Sequence, residues 1–546
     1  MSSRPPDRKG WWVWLAAGTG AGVLVALSVP PFGWWPLAWV GFGVIACLLP
    51  GLAVWPRVLL GAGLGAGQYS IGLFWVHEFS VPGCVVLILW SSLYIAAALA
   101  LVPTSRRRSI VLALPAMLVL AEWLRDRYPL GGLPLGEASL GQAAGPLAPS
   151  LRLGGSLLLT GETVLAGLAL AAMVHLVRTW RQARSPWSAG AAAWGTARPA
   201  RGSVSTAGGA VRRAWIAVVT VSAAAVAVPV VGLLSPSGAG GQVAPTRVAL
   251  VQGGGPRGTR AINTDPGVVF GRHLSESANL HAPLDLVVWP EGVLQSGDVK
   301  YTDTVEASEI SNLASALNAT VLVGVEQNVG ATHFINAVVA WGPDGRVVGS
   351  YQKNHLVPFG EYIPLRSVLK HFFNLASVPL DAVPGHSPGF IATPAGPLGI
   401  MISYEVFFDT RARGAVRAGG EVLVVPTNTA SYSSSQVPAQ EVAAAQLRAW
   451  ETGRWVLQVT PTGFTAVISP TGQVIKHSAL GQPEIITATV PMETGRTWYV
   501  DLGDLPTALA ALVMVVLAWA LAGTGDAGVR HRDRWSRREE PKQKGR

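Results

Sequence analysis

Five ionisable or nucleophilic side chains stand where short apolar segments of the sequence end. Glu291 follows a Val- and Trp-rich run in VVWPEG, Lys353 and Glu361 lie in YQKNHLVPFGEYIP, and Ser403 and Glu405 close GIMISYE. Covalent catalysis combines a proton carrier, a cation that stabilises developing negative charge and an attacking atom, and these residue types supply all three. The segments therefore predict one catalytic site.

Each residue alone has a commoner explanation. A Glu after a Pro is usually a turn or cap residue, a lone Lys is more often solvated, and Ser is common at strand ends. Lys353 differs from the arginines that dominate this chain, because burial and neighbouring charges can tune the pKa of a lysine. The ordered combination, with each member beside an apolar run, favours a site.

Short β-rich segments alternate with helical ones around these residues, between Val243 and Pro491, and WGPDGRVV (341–348) is typical of a hairpin. Strand ends in α/β sheets bring distant segments to one crevice, so the candidate residues should meet there. We predict a layered α/β domain over 243–495. The predicted strands are 247–253, 284–291, 320–327, 336–342, 399–405, 421–428, 455–461 and 464–470, and the predicted helices are 266–280, 303–317 and 436–452.

The rest of the chain is too apolar for a soluble protein. Half of the 546 residues are hydrophobic, 13% are charged and the mean hydropathy is +0.37. Crossing a bilayer takes about 20 residues of helix. We predict a membrane domain of about seven helices over 11–234 and a final transmembrane helix at 505–523. The apolar runs before the α/β region are 11–29, 33–50, 57–77, 83–103, 109–124, 157–177 and 213–234.

Blocks of basic residues indicate the orientation of the chain. They occur in the N-terminus (1–10), in the connection 178–213 and in the tail (524–546), and eight crossings place all three on one side. The positive-inside rule makes that side cytoplasmic, so both termini are predicted in the cytoplasm and the α/β domain outside it. The Ala/Gly/Ser/Pro-rich part of the connection, 185–210, is predicted to be a flexible linker.

Two function classes are disfavoured or excluded. The net charge of +10 suggests nucleic acid, but no basic face or nucleic-acid motif accompanies it, so we expect no nucleic-acid partner. Cys47 and Cys84 both lie in apolar runs, which excludes a disulfide framework and a Cys-based zinc site.

The segments WPEG, YQKNHLVPFGEYIP and ISYE resemble the Glu, Lys and Cys boxes of the nitrilase superfamily. PFGWWPLAWVGFG (31–43), GLFWVHEF (72–79) and AEWLRDRYPLGGLPLG (121–136) are similar to the membrane portion of apolipoprotein N-acyltransferases. The resemblance implies a polytopic α-helical membrane domain plus an α-β-β-α sandwich between the seventh and eighth helices. It also implies a multi-pass protein of the bacterial cell membrane.

The resemblance implies acyl transfer from a phospholipid to the amine of a lipid-modified prolipoprotein cysteine, with no cofactor or metal. Glu291 would be the general base and later acid, and Lys353 would stabilise the oxyanion. Glu361 and Glu405 would support Lys353 and the substrate amine. The remaining expected substrate-binding residues are Tyr404 and Asn428.

The chain departs from the family at the attacking atom, because Ser403 stands where members carry Cys. A thiol with a pKa near 8.5 ionises readily, whereas a hydroxyl must lose its proton during the attack. Glu291 is a weak base for that task, and an unprotonated Lys353 is an alternative base. The segments NTASY (428–432), TPTG (460–463) and GGLPLG also depart from the family's pattern, which favours a naturally divergent member.

Three functions stay open at this point. The first is an acyltransferase that forms an oxyester on Ser403. The second is a catalytically impaired relative that binds lipid or lipoprotein, or acts as a membrane scaffold. The third, a tethered amidase or nitrile hydrolase, leaves the seven preceding helices without a role.

Overall fold

The computed structural model describes residues 10–184, 202–240, 245–256, 264–371, 375 and 378–536. Each of the eight apolar runs coincides with a helix in the described residues, and the sixth bends at Gly154 and Gly155, whose backbone angles are not helical. Most of the predicted linker 185–210 and both chain ends lie outside the described residues. The helices of this part are α1 (Trp11–Ala26), α2 (Pro36–Leu48), α3 (Val54–Gly72), α4 (Val81–Leu101), α5 (Arg107–Arg125), α6 (Leu151–Arg184) and α7 (Gly202–Leu234).

Four described segments are long and apolar enough to cross a membrane by length and composition. They are Val81–Leu101, Ala148–Ala183, Gly208–Leu234 and Leu505–Gly523. The helices Trp11–Ala26 and Pro36–Leu48 are apolar but shorter. Many large apolar side chains on these helices are exposed, including Val86 and Leu93 of α4 and Val516 near the C-terminus, as expected of surfaces that face lipid. The complete set of eight crossings stays a prediction.

The region between α7 and the last helix forms an α/β sandwich, as predicted. The hairpin at 341–348 is confirmed, and the second half of the region contains edge strands that the sequence did not reveal. In chain order the elements are β1 (Thr246–Gln252), α8 (Pro266–Ser277), β2 (Leu286–Val288), β3 (Leu294–Gln295), α9 (Val305–Leu317), β4 (Thr320–Val329), β5 (His333–Trp341), β6 (Val347–Gln352), α10 (Arg366–Leu369), β7 (Asp381–Ala382), β8 (Phe390–Thr393), β9 (Gly396–Ile400), α11 (Asp409–Arg417), β10 (Val422–Pro426), α12 (Gln436–Thr452), β11 (Val456–Val459), β12 (Ala466–Ile468), β13 (Val474–His477), β14 (Glu484–Val490), α13 (Trp498–Leu502) and α14 (Leu505–Ser536).

Two sheets pack face to face in this domain. One has the order β14-β1-β2-β4-β5-β6, with β3 and β7 attached to β4 and β5, and the other has the order β13-β12-β11-β10-β9-β8. Val288 and Leu322 from the first sheet share a buried core with Ile400 and Val424 from the second. Helices α8 and α9 pack on the outer face of the first sheet, and α11 and α12 on that of the second, which confirms the α-β-β-α layering.

Helix α12 joins the sandwich to the membrane domain. Gln440 Nε2 donates to the Gly72 carbonyl at the end of α3 at 3.0 Å, and Arg448 Nη2 donates to Ser156 Oγ of α6 at 2.6 Å. Glu451 Oε1 accepts from the Ser156 backbone N–H at 3.0 Å. Because α12 also packs on the second sheet, a single helix separates the interior of the sandwich from the membrane helices.

Candidate active site

Glu291 is the third residue after β2 and lies at the end of the first sheet where its parallel strands finish. Strands β2 and β4 run parallel, so their carboxyl ends share this edge. Gly292 follows with φ of +68°, and a Cβ there would lie 2.9 Å from Glu326 Oε1. Glycine adopts this backbone without strain, so the Glu-Gly pair turns the chain while leaving room for the Glu326 carboxyl.

Lys353 begins the loop after β6 and is buried between two carboxylates. Its Nζ donates to Glu291 Oε1 at 2.8 Å and to Glu361 Oε1 at 2.9 Å. Asn336 Nδ2, from the middle of β5, donates to the same two oxygens at 2.7 and 2.8 Å. Glu361 Oε2 accepts from the Val357 backbone N–H at 2.7 Å, which folds the 353–361 loop onto the ion pair. The structure thus brings together Glu291, Lys353 and Glu361 as predicted.

The charge of Lys353 follows from these contacts. Burial alone lowers the pKa of a lysine, but the carboxylates of Glu291 and Glu361 outweigh it and raise the pKa of Lys353 above its ordinary value. Lys353 is therefore an ammonium that donates hydrogen bonds. The alternative in which neutral Lys353 acts as the base for Ser403 does not fit this geometry.

Ser403 opens a buried 3-10 turn, Ser403–Phe407, directly after β9. Its φ is +49°, an uncommon left-handed conformation for a residue with a side chain, and such strain concentrates at functional sites. Ser403 Oγ lies 3.1 Å from Thr427 Oγ1, which follows β10, and Thr427 Oγ1 lies 2.8 and 3.0 Å from the two carboxyl oxygens of Glu441 on α12.

Two further carboxyl groups face the same site. Burial raises the pKa of Glu441 to about 8, aided by the charge of Glu291, while hydrogen bonds from Thr427 and Ser403 and the charge of Lys353 act against it. Burial and the charges of Glu291 and Glu361 likewise raise the pKa of Glu326 to about 8, with Lys353 acting against them. The charges of Glu291 and Lys353 thus act on Glu441, whose partner Thr427 lies beside Ser403.

Glu405 fixes the two loops of the site to each other. Its Oε1 accepts from the backbone N–H groups of Asn354 and His355 at 2.8 and 3.0 Å, and its Oε2 accepts from that of Ile402 at 2.8 Å. The Tyr351 hydroxyl donates to both oxygens, at 2.8 and 3.0 Å. Burial raises the pKa of Glu405, and these hydrogen bonds lower it. Glu405 therefore supports Lys353 through the backbone beside it, and the contact to Lys353 Nζ is made by Glu361.

The two expected substrate-binding residues lie in different surroundings. Tyr404 is buried, and its hydroxyl donates to the Gly132 carbonyl of the membrane domain at 3.1 Å. Asn428 begins the loop after β10, where its Oδ1 accepts from the Ala430 backbone N–H at 3.1 Å. Its amide lies near Gly292, 3.8 Å from where a Cβ would stand. A substrate role for either residue stays a prediction.

An aromatic cluster links the Asn428 loop to the membrane domain. The Tyr432 ring packs edge-on against Trp75 and Phe79, with centroids 5.2 and 5.5 Å apart, and Ser433 N–H donates to Glu78 Oε2 at 3.2 Å. The charges of Glu441, Glu291 and Lys353 act on the Tyr432 hydroxyl, whose pKa burial raises. The side chains of Trp75, Phe79 and Tyr432 therefore form one aromatic wall between the site and the end of α3.

Sequence reasoning missed four polar residues of the site: Asn336, Glu326, Thr427 and Glu441. Asn336 in FINAVVAW and Glu441 in the alanine-rich EVAAAQLRAW interrupt otherwise apolar elements, and a polar side chain inside a buried run is the signal that identifies these two, since such a group needs a partner in the fold. Glu326 and Thr427 lie where the buried parts of β4 and β10 end.

Comparisons with known proteins agree with this architecture. Residues 247–500 match the carbon-nitrogen hydrolase family, and residues 21–169 match the apolipoprotein N-acyltransferase N-terminal domain. The chain is 30% identical to the apolipoprotein N-acyltransferase of Mycolicibacterium smegmatis, covering 92% of this chain and 84% of that one. It is 31% identical to that of Azotobacter vinelandii, covering 94% and 96%.

Among solved structures, Saccharomyces cerevisiae Nit3, a nitrilase-superfamily member, is 20% identical, with a TM-score of 0.35, and the match covers 46% of this chain and 91% of Nit3. The two family matches lie on the two parts of the chain, the membrane helices and the sandwich. The curated relatives match both parts at once, with a single alignment over nearly the whole length. This chain therefore belongs to the apolipoprotein N-acyltransferase family of the nitrilase superfamily.

Proposed function

We propose that the chain transfers a fatty acyl group from a phospholipid to the α-amine of the lipid-modified N-terminal cysteine of a prolipoprotein. The observation that carries the proposal is the Ser403 hydroxyl, held at a strained turn in the same site as the Lys353 ion pair. The relatives named apolipoprotein N-acyltransferase support the choice of acceptor. A scaffold role accounts for the fold but gives the buried ion pair and the strained serine no task.

The position of the site supports a lipid acyl donor. The aromatic wall of Trp75, Phe79 and Tyr432 connects it to the end of α3, next to exposed apolar side chains of the membrane domain such as Phe74 and Val81. Contiguous exposed apolar surface is the contact that a lipid chain prefers. A phospholipid enters from the bilayer along this wall and presents its ester carbonyl to Ser403.

The reaction proceeds in two halves. Ser403 Oγ attacks the ester carbonyl, the bond to the glycerol oxygen breaks, and a lysophospholipid leaves an oxyester on Ser403. The α-amine of the lipoprotein then attacks this oxyester, an amide forms and Ser403 regains its proton. Lys353, a buried ammonium, stabilises the oxyanion formed in both halves.

Glu291 is assigned to the amine half. Its Oε1 accepts from Lys353 and Asn336, and its Oε2 is the oxygen assigned to the substrate amine. A carboxylate oxygen can take the proton of the attacking amine and pass it to Ser403 Oγ as the oxyester bond breaks. Tyr404 and Asn428, adjacent to the strained serine and to Gly292, are the proposed substrate contacts.

Intact-mass spectrometry of the purified protein incubated with phospholipid tests the nucleophile. We expect an added acyl mass on the native protein, its absence in Ser403→Ala, and faster acylation of Ser403→Cys because a thiolate is the stronger nucleophile. Peptide mapping must place the adduct on Ser403. Acylation of the Cys variant alone identifies a site whose chemistry was lost, which favours the scaffold role.

We further propose that the sandwich lies outside the cytoplasm and that both termini lie inside. The basic residues of the connection and the tail, among them Arg178, Arg181, Arg212 and Arg213, support this orientation. Protease added to spheroplasts should cut within 243–495 and spare a tag fused after Arg546. Cleavage of the tag with an intact sandwich would reverse the assignment.

A further inference from the structure

Ser403 has to lose a proton as it attacks, and the ion pair is not the group that it contacts. The Lys353 ammonium donates to two carboxylates, keeps a third N–H for the oxyanion and has no basic lone pair. Thr427 Oγ1 lies 3.1 Å from Ser403 Oγ, and the buried carboxyl of Glu441 accepts hydrogen bonds from Thr427 and from Ser403. These three side chains come from the ends of β9 and β10 and from α12.

The direction of the chain of hydrogen bonds follows from counting protons. A hydroxyl carries one hydrogen, so Thr427 donates to one neighbour at a time. Thr427 Oγ1 is positioned to donate to Ser403 Oγ at 3.1 Å or to Glu441 at 2.8 or 3.0 Å. An ionised Glu441 only accepts, so the Thr427 hydrogen turns toward it, and the Ser403 hydroxyl is then left to donate to Thr427 Oγ1. A protonated Glu441 donates to Thr427 and the order reverses. Only the ionised carboxylate prepares the Ser403 hydroxyl for attack.

We propose that Glu441, acting through Thr427, is the acceptor of the Ser403 proton in this acyltransferase. As Ser403 Oγ bonds to the ester carbonyl carbon, its proton moves to Thr427 Oγ1 and the proton of Thr427 moves to Glu441. When the intermediate collapses, Thr427 gives its proton to the departing glycerol oxygen and takes one from Glu441, which is again ionised. The inference rests on the proposed function, because it requires Ser403 to be the nucleophile.

The surroundings of Glu441 suit a proton acceptor that works near neutrality. Burial raises its pKa to about 8, and Glu291 and Lys353 across the site and Tyr432 on the neighbouring loop are the ionisable groups that face it. From the membrane side, the next residue, Gln440, binds the Gly72 carbonyl, and Glu78 contacts Ser433. A base with a pKa near the working pH accepts protons most effectively and can return them.

The first test is the single-turnover rate of Ser403 acylation by phospholipid as a function of pH. The native rate should rise about tenfold between pH 7 and pH 9, as the ionised fraction of a group with a pKa of about 8 does. Glu441→Gln should lower the rate by about 10²-fold and remove this rise. Glu276→Gln, on α8 at the outer face of the first sheet, is the matched control and should retain both.

Two variants of Thr427 separate proton transfer from packing. Thr427→Val keeps the shape without the hydroxyl and should lose about as much rate as Glu441→Gln, and the double variant should lose no more than either, because the two residues act as one unit. Thr427→Ser should stay within a few-fold of the native rate. A normal rate in Thr427→Val, or a pH rise that persists in Glu441→Gln, would overturn the proposal.

A cysteine background provides a third readout. A thiol ionises without the hydrogen bonds to Thr427 and Glu441. The loss of acylation rate caused by Glu441→Gln should therefore be at least tenfold smaller in Ser403→Cys than in the native protein. Equal losses in both backgrounds would show that Glu441 is structural and would also overturn the proposal.

An alkyl fluorophosphonate, which phosphonylates activated serines without needing lipid, distinguishes failure of the inference from failure of the proposed function. Suppose that Ser403 reacts with it in a pH- and Glu441-dependent way but phospholipid gives no acyl adduct. Proton transfer from Ser403 through Thr427 to Glu441 (the relay) is then supported, and the proposed acyl donor is wrong. If Ser403 reacts with neither reagent while Ser403→Cys is acylated by phospholipid, the relay is wrong and the site still recognises lipid. If no variant reacts with either reagent, both fail.

Discussion

Lys353→Met is expected to lower the acylation rate by on the order of 10³-fold and to destabilise the sandwich. Methionine fills a similar volume but leaves the oxyanion without its cation, a loss that costs about 10²- to 10³-fold by itself. It also leaves Glu291 and Glu361 buried, with Asn336 as their shared donor. Removing one partner of a buried ion pair costs about 3–5 kcal/mol, because the remaining charge has no counter-ion.

The pH dependence of this loss has a definite sign. The pKa of Lys353 is raised above its ordinary value, so the stabilisation it provides is fully present at neutral pH and disappears only when the pH rises through the raised pKa. The destabilisation of Lys353→Met should therefore be large and nearly constant between pH 7 and pH 9.

Thermal unfolding in detergent micelles measures this effect, and a drop in apparent Tm on the order of 10 °C corresponds to the expected energy. Lys476→Met is the matched control, since Lys476 is exposed on β13 and its Nζ donates to one carbonyl, that of Thr487. Its Tm should change by only a degree or two. A Lys353→Met protein with more than a tenth of the native acylation rate would remove Lys353 from the oxyanion site.

The parts of the site that the sequence predicted are those at strand ends. Glu291 and Ser403 follow the buried strands β2 and β9, which pair in parallel with β4 and β10, and parallel strand ends converge whatever the intervening chain does. Lys353 follows the edge strand β6. Thr427 follows the buried strand β10, but its role, like that of Glu441, depends on α12 lying over the end of that strand. The distance between the Thr427 hydroxyl and the Glu441 carboxyl is set by how the helix packs on the sheet, which local sequence does not encode.

The charge of a buried side chain and the position of an edge strand are also difficult to predict from local sequence. Nothing in YQKNHLVPFGEYIP shows that Lys353 lies between two carboxylates. The hypothesis of a neutral Lys353 acting as the base for Ser403 therefore rested on residue types alone, without the distances that decide the charge of the lysine. Strand β6 was not among the predicted strands, although its turn was, because Val347 and Val348 at its start are exposed and half-exposed edge strands lack a continuous apolar run. Central strands such as β4 and β10, buried on both faces, were predicted correctly.

Glu405→Gln should slow acylation by on the order of 10²- to 10³-fold, although Glu405 contacts no reacting atom in the proposed mechanism. The amide nitrogen of Gln cannot accept a hydrogen bond, so one of the two loops loses its anchor: the Ile402 N–H beside Ser403, or the N–H groups after Lys353. A buried N–H without an acceptor costs about 1–3 kcal/mol, and a shift of about 1 Å between attacking and stabilising groups costs about 10²-fold in rate.

Tyr351→Phe is the matched control for this positioning role. It removes one donor to Glu405 and leaves all three backbone anchors in place, so its stability loss should be about 1 kcal/mol and its acylation rate should stay within a few-fold of native. Single-turnover acylation and thermal unfolding, measured on both variants, separate positioning from stability. If Glu405→Gln loses stability but acylates Ser403 at the native rate, the two loops hold their register without this carboxylate, and its role is confined to folding.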